Sequence, residues 1–354
     1  MTTMLAGRLH IGDPDGTGRR FAVEEVPVPV PGPGEVLVEV RAAGVCLSDV
    51  HLIDGSLRPA YNPSDVVTLG HEVAGVVHTV GAEVPGGWAP GARVTLQAGQ
   101  VCGICANCVR RRTPCPQVLT RGVDYDGGWA QFTIARHDTL AAIPDALPFD
   151  QAAIIPDAVS TPYAAVVVTG GVRPAQSVGI WGAGGLGVHA VRVARLAGAA
   201  PIVVVDPLPA ARERALTFGA DVALDPADPG FRRSVLAATA GRGLDVAFDF
   251  AGAGPVRDQA AGVLAAGAQL VLVGLTPGPV AITDGTVFSI RGNAVRGHYG
   301  SSPDHVEQLI RLVAAGRLDL GPSISGHVPL ADAAEAVEAL EHKKGDPIRL
   351  VLTP

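Results

Sequence analysis

The chain has 354 residues, which is the usual length of about two domains. Hydrophobic residues make up 47% and charged residues only 17%, so the chain can bury a sizeable core and is not expected to be disordered. The net charge of -7 and a basic run limited to Arg110–Arg112 argue against a nucleic-acid partner. No membrane span is expected, because Pro156 and Pro162 interrupt the most apolar stretch, Ala152–Val168.

Short strands and turns fill the first part of the chain, residues 1–157. Glu35–Arg41 alternates apolar and polar residues, Val73–Val80 is typical of a strand, and Gly- and Pro-rich turns lie at 31–34 and 85–87. This succession predicts a compact antiparallel, barrel-like domain.

All five cysteines of this chain fall into patterns typical of zinc ligands. Four lie close together, at Cys102, Cys105, Cys108 and Cys115. Four thiolates can close a tetrahedral shell, which predicts a structural zinc site. Cys46 stands alone, ahead of the sequence Gly70-His71-Glu72. A single cysteine that recruits His and carboxylate partners predicts a catalytic zinc with an open position.

Other uses of the clustered cysteines remain open. Disulfides are disfavoured because the N-terminal residues lack the features of a secretory signal, which predicts a cytoplasmic protein, and because an odd number would leave one thiol unpaired. An iron–sulfur cluster could also use four cysteines, although no second redox motif lies beside them. Unliganded core cysteines are the third alternative.

From Ser177 onwards the pattern changes to alternating strands and helices. Such alternation predicts a parallel sheet with helices on both faces. The predicted strands are Ser177–Trp181, Ile202–Asp206, Asp245–Phe250, Gln269–Gly274 and, at the end of the chain, Ile348–Leu352. The predicted helices are Leu186–Ala199, Pro209–Gly219, Pro255–Ala266, Asp304–Ala315 and Ala331–His342.

A Gly-x-Gly-x-x-Gly sequence lies at the first of these strand-to-helix turns. Gly182 permits the tight turn, Gly184 lets the backbone approach a pyrophosphate, and Gly187 lets the helix pack on the sheet. The free N–H groups at the start of the helix, around Gly185 and Leu186, can bind phosphate. The alternative is an ordinary Gly-rich turn without a nucleotide.

Asp206 ends the next predicted strand, 19 residues after Gly187. Its carboxylate can accept hydrogen bonds from an adenosine ribose and would repel a 2′-phosphate, so NAD is the predicted coenzyme. Arg212 is expected to lie close to the same end of the coenzyme.

Along essentially its whole length the chain resembles zinc-dependent alcohol dehydrogenases of the medium-chain dehydrogenase/reductase superfamily, especially the bacterial secondary-alcohol dehydrogenases. The resemblance rests on Gly44–His51, Leu69–Gly75, the four-cysteine segment, Asp126–Ala130 and the dinucleotide fold. One departure is the gap of six residues between the third and fourth clustered cysteines, where the family more often has seven.

The resemblance implies an α/β protein of two domains. A GroES-like β-rich catalytic domain is expected over residues 1–157, with 293–354 returning to it. A Rossmann coenzyme domain, a doubly wound parallel sheet, is expected over 158–292. The family also implies a catalytic zinc between the domains, two zinc ions per chain, and a homodimer or homotetramer.

The resemblance also implies the ligands of the catalytic zinc. Cys46 and His71 are the first two, and Asp157 takes the third place, where other members have a cysteine; an alternative role for Asp157 is a helix N-cap. Glu72 is a nearby carboxylate that either approaches the metal or stays behind it. Asp49 is expected to accept the second ring N–H of His71, unless it is only a turn residue.

In the implied reaction, zinc acidifies an alcohol or polarises a ketone or aldehyde during hydride exchange with NAD. Ser48 would accept the alcohol proton and pass it through the nicotinamide ribose to His51, because an imidazole is a suitable terminal proton acceptor. The alternatives are a polyol dehydrogenase, a zinc-free quinone or enoyl reductase, which would lack Cys46 and His71, and a catalytically silent binding protein.

Overall fold

The computed structural model describes residues 2–12, 17–59, 65–110, 115–276 and 278–354, so Arg111 and Arg112 of the basic run lie outside the described residues. The chain forms two compact units. Unit 1 comprises Met1–Asp157 and Ser302–Pro354, and unit 2 comprises Ala158–Ser301. The family resemblance implies a return to the first domain at residue 293. In the structure, residues 293–301 belong to unit 2, because Ala294–Gly297 is a strand of its sheet.

The first part of unit 1 consists mainly of short strands. They are β1 (Thr3–His10), β2 (Arg20–Pro27), β3 (Glu35–Val45), β4 (Val66–Thr68), β5 (Val73–Val80), β6 (Arg93–Leu96), β7 (Gly99–Gln100), β8 (Leu119–Thr120), β9 (Phe132–Arg136) and β10 (Leu140–Ala142). The helices among them are α1 (Leu47–Asp54) and α2 (Ala106–Val109). The predicted strand Val73–Val80 has the observed bounds of β5, whereas Glu35–Arg41 extends four residues further as β3.

A continuous helical run follows, from Phe149 to Thr169. It comprises α3 (Phe149–Ile154), a π-helical turn (Ile155–Val159), α4 (Ser160–Tyr163) and a second π-helical turn (Ala164–Thr169). The prolines that divide this stretch in the sequence do not end the helical run: Pro156 lies in the first π-helical turn, and Pro162 lies in α4 directly after that turn. By length and composition alone the run could cross a membrane, but 72% of its most apolar window is buried in the protein, as in a core helix.

Unit 2 is a six-stranded parallel sheet with helices between the strands. The strands are β11 (Val178–Trp181), β12 (Ile202–Val205), β13 (Val222–Leu224), β14 (Leu244–Asp249), β15 (Leu264–Leu272) and β16 (Ala294–Gly297). The helices are α5 (Gly187–Leu196), α6 (Pro209–Thr217), α7 (Phe231–Ala238), α8 (Gly254–Ala261) and α9 (Gly285–Ile290). The order β13-β12-β11-β14-β15-β16 is that of the doubly wound dinucleotide-binding fold.

One predicted helix of unit 2 is too long. The sequence extends it from Pro255 to Ala266, but α8 ends at Ala261, and Leu264 pairs with Leu244 in the sheet. Gly262 stops the helix, and the fully buried Leu244 gains an apolar neighbour when Leu264 joins the sheet. The tertiary packing of an apolar residue here outweighs its local helix preference.

The chain then returns to unit 1 through α10 (Pro303–Ala314), β17 (Ile324–Pro329), α11 (Ala333–Glu341) and β18 (Arg349–Thr353). β18 pairs antiparallel with the end of β3, with Leu350 opposite Val45, and parallel with β17. The main sheet has the order β10-β6-β5-β3-β18-β17, with β9 also paired to β3. A second sheet has the order β2-β1-β4, and β7 pairs with β8. The last strand therefore lies directly beside the segment that carries Cys46.

Candidate metal and coenzyme sites

Cys46 lies at the junction between β3 and α1. It is the residue before the first helical turn, and its backbone N–H donates to Asp49 Oδ2 at 2.9 Å. This contact satisfies one of the free N–H groups of the helix start. Ser48 and His51 follow on the same helix. The hydrogen bond at the helix start therefore helps to fix the backbone positions of Cys46, Ser48 and His51.

His71 and Glu72 lie in the short loop between β4 and β5, directly after Gly70. Gly70 has a φ of 95°, and a Cβ there would come within 2.2 Å of the Trp129 ring. Trp129 is fully buried and donates from its ring nitrogen to the carbonyl oxygen of Gly44 at 3.0 Å. The close approach of this ring thus requires glycine at position 70 and helps to place the loop against the end of β3.

Four side chains of unit 1 converge within one small volume: Cys46, His71, Glu72 and Asp157. One donor atom of each lies within 4.8 Å of those of the other three. Asp157 Oδ2 is 3.4 Å from His71 Nε2 and 3.7 Å from Cys46 Sγ. Asp157 lies inside the helical run rather than at a helix start, which argues against a capping role. A sulfur, a nitrogen and carboxylate oxygens together are a donor set that suits zinc.

The buried polar atoms behind these donors also fit a bound cation. Asp49 Oδ1 lies 3.6 Å from His71 Nδ1, both side chains are almost completely buried, and neither atom has a hydrogen-bond partner. Burial alone would lower the pKa of His71, but Asp49, Asp157 and Cys46 together raise it well above its usual value. The surrounding negative charge therefore favours a positive charge at this histidine, and a metal cation bound to Nε2 would supply it.

Glu72 is buried against Gly44 and next to Arg349. A Cβ on Gly44 would lie 2.0 Å from Glu72 Oε2, so the carboxylate fits only because residue 44 is glycine. Burial raises the pKa of Glu72 to about 7, although the nearby Arg349 lowers it.

Arg349 is a charged residue of this site that the sequence reasoning missed. It is buried, its Nη1 donates to the carbonyl oxygen of Val45 at 3.1 Å, and its Nη2 lies 3.2 Å from Glu72 Oε1. Burial would lower its pKa, but Glu72, Cys46 and Asp157 outweigh that effect and raise it. The sequence did contain a signal for this residue: Arg349 is the only charged residue in the predicted apolar strand Ile348–Leu352. A charge in a buried strand needs a partner of opposite charge, so the arginine indicates a carboxylate nearby.

The second cysteine cluster also has the geometry of a metal site. Three of its sulfur–sulfur distances are 3.7, 3.9 and 3.9 Å, joining Cys115 to Cys102, Cys102 to Cys108, and Cys105 to Cys115. A tetrahedral zinc site with Zn–S bonds of about 2.3 Å has edges of about 3.8 Å. A disulfide would need a sulfur–sulfur separation of about 2.05 Å. Part of the shortened loop, residues 111–114, lies outside the described residues.

Two of the four thiols, those of Cys102 and Cys108, have shifted pKa values. Backbone N–H groups, with Cys105 foremost, lower the pKa of Cys102 to about 6, whereas burial and the neighbouring sulfurs raise that of Cys108 to about 12. Four adjacent thiolates repel one another, so a cation is needed to hold all of them ionised. This arrangement fits a structural zinc with four sulfur ligands.

The two residues predicted for proton transfer lie on α1. Ser48 Oγ is 3.6 Å from Cys46 Sγ, next to the four-residue donor cluster. His51 is half exposed, and its Nδ1 lies 3.1 Å from Ser56 Oγ and 3.6 Å from Asp54 Oδ2. Ser48 therefore lies beside the donors, and His51 lies one helical turn further on, where it reaches solvent.

In unit 2, the glycine-rich sequence forms the turn between β11 and α5. Gly182 has a φ of 91°, and a Cβ on Gly187 would lie 1.8 Å from the Gly182 carbonyl oxygen. A Cβ on Gly184 would meet nothing within 4 Å, so the backbone is open to a ligand at that position. Gly185 and Leu186 complete the turn before the helix. The structure thus has a glycine-lined opening where a pyrophosphate would lie in this fold.

Asp206 lies at the carboxyl end of β12 and faces this turn. Its Oδ2 accepts from the N–H of Ala183 at 2.8 Å, and its Oδ1 accepts from the N–H of Leu208 at 2.9 Å. A carboxylate has about four acceptor positions, so two remain for ribose hydroxyls. The guanidinium of Arg212 lies beside it and donates to the carbonyl oxygens of Asp206 and Pro207.

The chain is similar to known dehydrogenases over most of its length. Residues 32–145 match the alcohol dehydrogenase GroES-like domain, and residues 185–315 match the zinc-binding dehydrogenase domain. L-threonine 3-dehydrogenase of Pyrococcus abyssi is 32% identical over 85% of this chain and 86% of its own length. The NDMA-dependent alcohol dehydrogenase of Amycolatopsis methanolica is 32% identical over 92% and 94%.

A solved structure of similar fold comes from Sinorhizobium meliloti 1021 and was determined with NADP bound. It is 27% identical, with a TM-score of 0.88 and complete coverage of both chains. Together, the two matched domains and the relatives identify this chain as a member of the zinc-type alcohol dehydrogenase family of medium-chain dehydrogenases/reductases.

Proposed function

We propose that this oxidoreductase is a zinc-dependent alcohol dehydrogenase that uses NAD and acts reversibly on secondary alcohols and their ketones. The convergence of Cys46, His71 and Asp157 beside the hydroxyl of Ser48 carries the proposal. The relatives named L-threonine 3-dehydrogenase support a secondary alcohol, since carbon 3 of threonine bears a secondary hydroxyl. Of the alternatives, a zinc-free reductase would not need this donor set.

Cys46, His71 and Asp157 would hold the catalytic zinc, and Glu72 would remain behind it, paired with Arg349. When bound, zinc supplies a Lewis acid that acidifies an alcohol hydroxyl and polarises a carbonyl group. The carboxylate of Asp49, 3.6 Å from His71 Nδ1, would stabilise a positive charge at this ring from the side away from the metal. Arg349 offsets part of the negative charge of this cluster, which keeps the site close to neutral.

Ser48 is the first proton acceptor in the proposed oxidation. Its hydroxyl lies next to the metal donors and can take the alcohol proton while it passes its own proton onward. His51 would deliver that proton to solvent, which its exposed position on α1 permits. The four clustered cysteines, Cys102, Cys105, Cys108 and Cys115, would hold the second zinc, which would stabilise the loop that carries them.

The choice of NAD rests on Asp206. Its carboxylate has acceptor positions left for the adenosine ribose, and a 2′-phosphate at the same place would meet its negative charge. The backbone around Gly184 would bind the pyrophosphate.

The test is an activity panel with the purified, zinc-loaded enzyme. NADH formation from NAD is measured with secondary alcohols, L-threonine, primary alcohols and polyols. For each substrate, this rate is compared with the rate of NADPH formation from NADP. The highest kcat/KM is expected for a secondary alcohol with NAD. A preference for polyols would change the assigned substrate class from secondary alcohols to polyols. Failure to oxidise any alcohol, together with NADPH-dependent reduction of a quinone or an enoyl compound, would overturn the proposed function.

A further inference from the structure

A second carboxylate lies at the ribose end of the proposed coenzyme site. Asp225 directly follows β13, the strand beside β12, so it lies at the same carboxyl edge of the sheet as Asp206. Its Oδ2 is 3.2 Å from Arg212 Nη1. Its Oδ1 accepts from the N–H of Ala227 at 2.8 Å, which fixes the orientation of the carboxylate. Asp225 is thus a well-positioned partner for the arginine of this edge.

Arg212 is held by three acceptors at once. Besides the contact with Asp225, the same Nη1 atom lies 2.8 Å from the carbonyl oxygens of both Asp206 and Pro207. Its side chain is 21% exposed, against 39% for Asp225. Nη1 of the guanidinium is therefore held against two backbone carbonyl oxygens, with its charge offset by Asp225.

An arginine at this edge is the usual partner of a 2′-phosphate in NADP-binding proteins of this fold, because a guanidinium binds phosphate in a forked geometry. Arg214, further along α6, donates to the carbonyl oxygen of Ala183 instead. Arg212 is therefore the arginine on α6 whose release would most directly change coenzyme choice.

We propose that Asp225 is a positioning residue for coenzyme discrimination, which holds Arg212 on the carbonyl oxygens of Asp206 and Pro207 and so withholds it from a 2′-phosphate. The inference rests on the proposed coenzyme site. Discrimination against NADP then has two parts: repulsion by Asp206, and retention of Arg212 by Asp225. Loss of Asp225 removes one negative charge and frees the guanidinium.

The proposal can be tested with two small probes that differ only in the 2′-phosphate, so neither metal nor substrate is required. Adenosine 2′,5′-bisphosphate and adenosine 5′-monophosphate are titrated calorimetrically into the wild type, Asp225→Asn and Asp225→Ser. Both substitutions keep an acceptor for the Ala227 N–H, so the turn is preserved. Asp221→Asn is the matched control: Asp221 precedes the same strand, is paired with Arg195 at 2.6 Å, and lies at the opposite edge of the sheet.

The affinity of Asp225→Asn for the bisphosphate is expected to rise about 10-fold, with little change for the monophosphate. Asp221→Asn should stay within about twofold of the wild type for both probes. The gain should disappear in the double variant Asp225→Asn/Arg212→Ala.

An unchanged ratio of the two affinities in Asp225→Asn and Asp225→Ser, or a gain that persists without Arg212, would overturn the positioning role. A wild-type protein that bound neither probe would instead overturn the coenzyme site on which the inference rests.

Discussion

Arg349 Nη2 lies 3.2 Å from Glu72 Oε1, and the two side chains are only 2% and 0% exposed. The pair joins the last strand of the chain to the loop that carries His71, and Arg349 also binds the carbonyl oxygen of the residue before Cys46. The guanidinium of Arg349 thus places a permanent positive charge beside the donor cluster of Cys46, His71, Glu72 and Asp157. It allows several acidic donors to converge in a buried place at a lower electrostatic cost.

Removal of this arginine should destabilise unit 1. Arg349→Met leaves Glu72 buried without its cation, which typically costs about 3–5 kcal/mol of unfolding free energy. The double variant Arg349→Met/Glu72→Gln should recover part of the loss, because it removes the uncompensated carboxylate. Denaturant unfolding of the metal-free proteins measures both values. Equal stability of Arg349→Met and the wild type would show that the pair contributes nothing.

The metal assignment predicts a selective loss of zinc. The purified wild type should contain two zinc ions per chain, and Asp157→Asn should retain about one, in the cysteine cluster. Activity should fall at least about 100-fold, since one ligand of the reactive centre is weakened. Asp145→Asn, which changes an exposed carboxylate of the same unit, is the control. Elemental analysis of both variants decides the assignment, and full activity of Asp157→Asn with one zinc per chain would contradict it.

Local patterns in the sequence were sufficient for part of this structure. The four-cysteine cluster and the Gly-x-Gly-x-x-Gly turn are each formed by residues that lie close together in the chain. Both could therefore be predicted from the sequence alone. Partners far apart in the chain could not, because their contacts depend on the fold. Arg349 meets Glu72 across 277 residues only because β18 pairs with β3.

The same distinction applies to element bounds. The helix predicted to end at Ala266 ends at Ala261 because Leu264 pairs with a strand that precedes it by twenty residues. The hydrogen bond between Arg212 and the carbonyl of Asp206 is local, but the Asp225 carboxylate that completes the arrangement comes from the next strand. Sequence patterns therefore predicted which residue types matter, and the sheet order determines which of them meet.

Coenzyme preference should depend on Asp206. The wild type is expected to prefer NAD over NADP by more than about 100-fold in kcat/KM, because a buried carboxylate facing a 2′-phosphate costs several kcal/mol. Asp206→Gly should narrow this ratio sharply by removing the charge. Steady-state kinetics with both coenzymes test the prediction. Equal use of NAD and NADP by the wild type would contradict it.

Stability should depend on pH through His305. Its Nδ1 accepts from the N–H of Ser302 at 3.1 Å at the start of α10, so the ring must be neutral at this atom. Burial lowers the pKa of His305 below its ordinary value of 6.5, although Asp304 raises it. Because the unfolded chain takes up the proton more readily, this contribution is present above about pH 6.5 and is lost as the pH falls through the lower folded pKa.

The variant His305→Gln keeps an acceptor for the Ser302 N–H and removes the titration. Between about pH 7.5 and 5, the wild type should lose about 2 °C more in melting temperature than this variant. Thermal unfolding at several pH values measures the difference. Parallel curves for the two proteins would show that the cap does not titrate.

The proposed proton path predicts a pH-dependent defect in His51→Gln. Oxidation should be depressed about 10–100-fold near pH 6.5, where loss of the alcohol proton is most difficult, and the defect should shrink at higher pH, where hydroxide can collect the proton. Ser48→Ala should be more severe, because it removes the hydroxyl beside Cys46. Zinc content and NAD affinity should stay close to those of the wild type in both variants.

A matched control for His51 is His327→Gln. Both histidines lie in unit 1, both side chains are 52% exposed, and both have an aspartate partner, Asp54 for His51 and Asp150 for His327. The control should leave the pH profile of alcohol oxidation unchanged, since His327 has no part in the proposed path. If His51→Gln instead lost zinc and lost activity equally at every pH, His51 would serve the metal site rather than the proton. Oxidation would then have to pass its proton from Ser48 to solvent by another route.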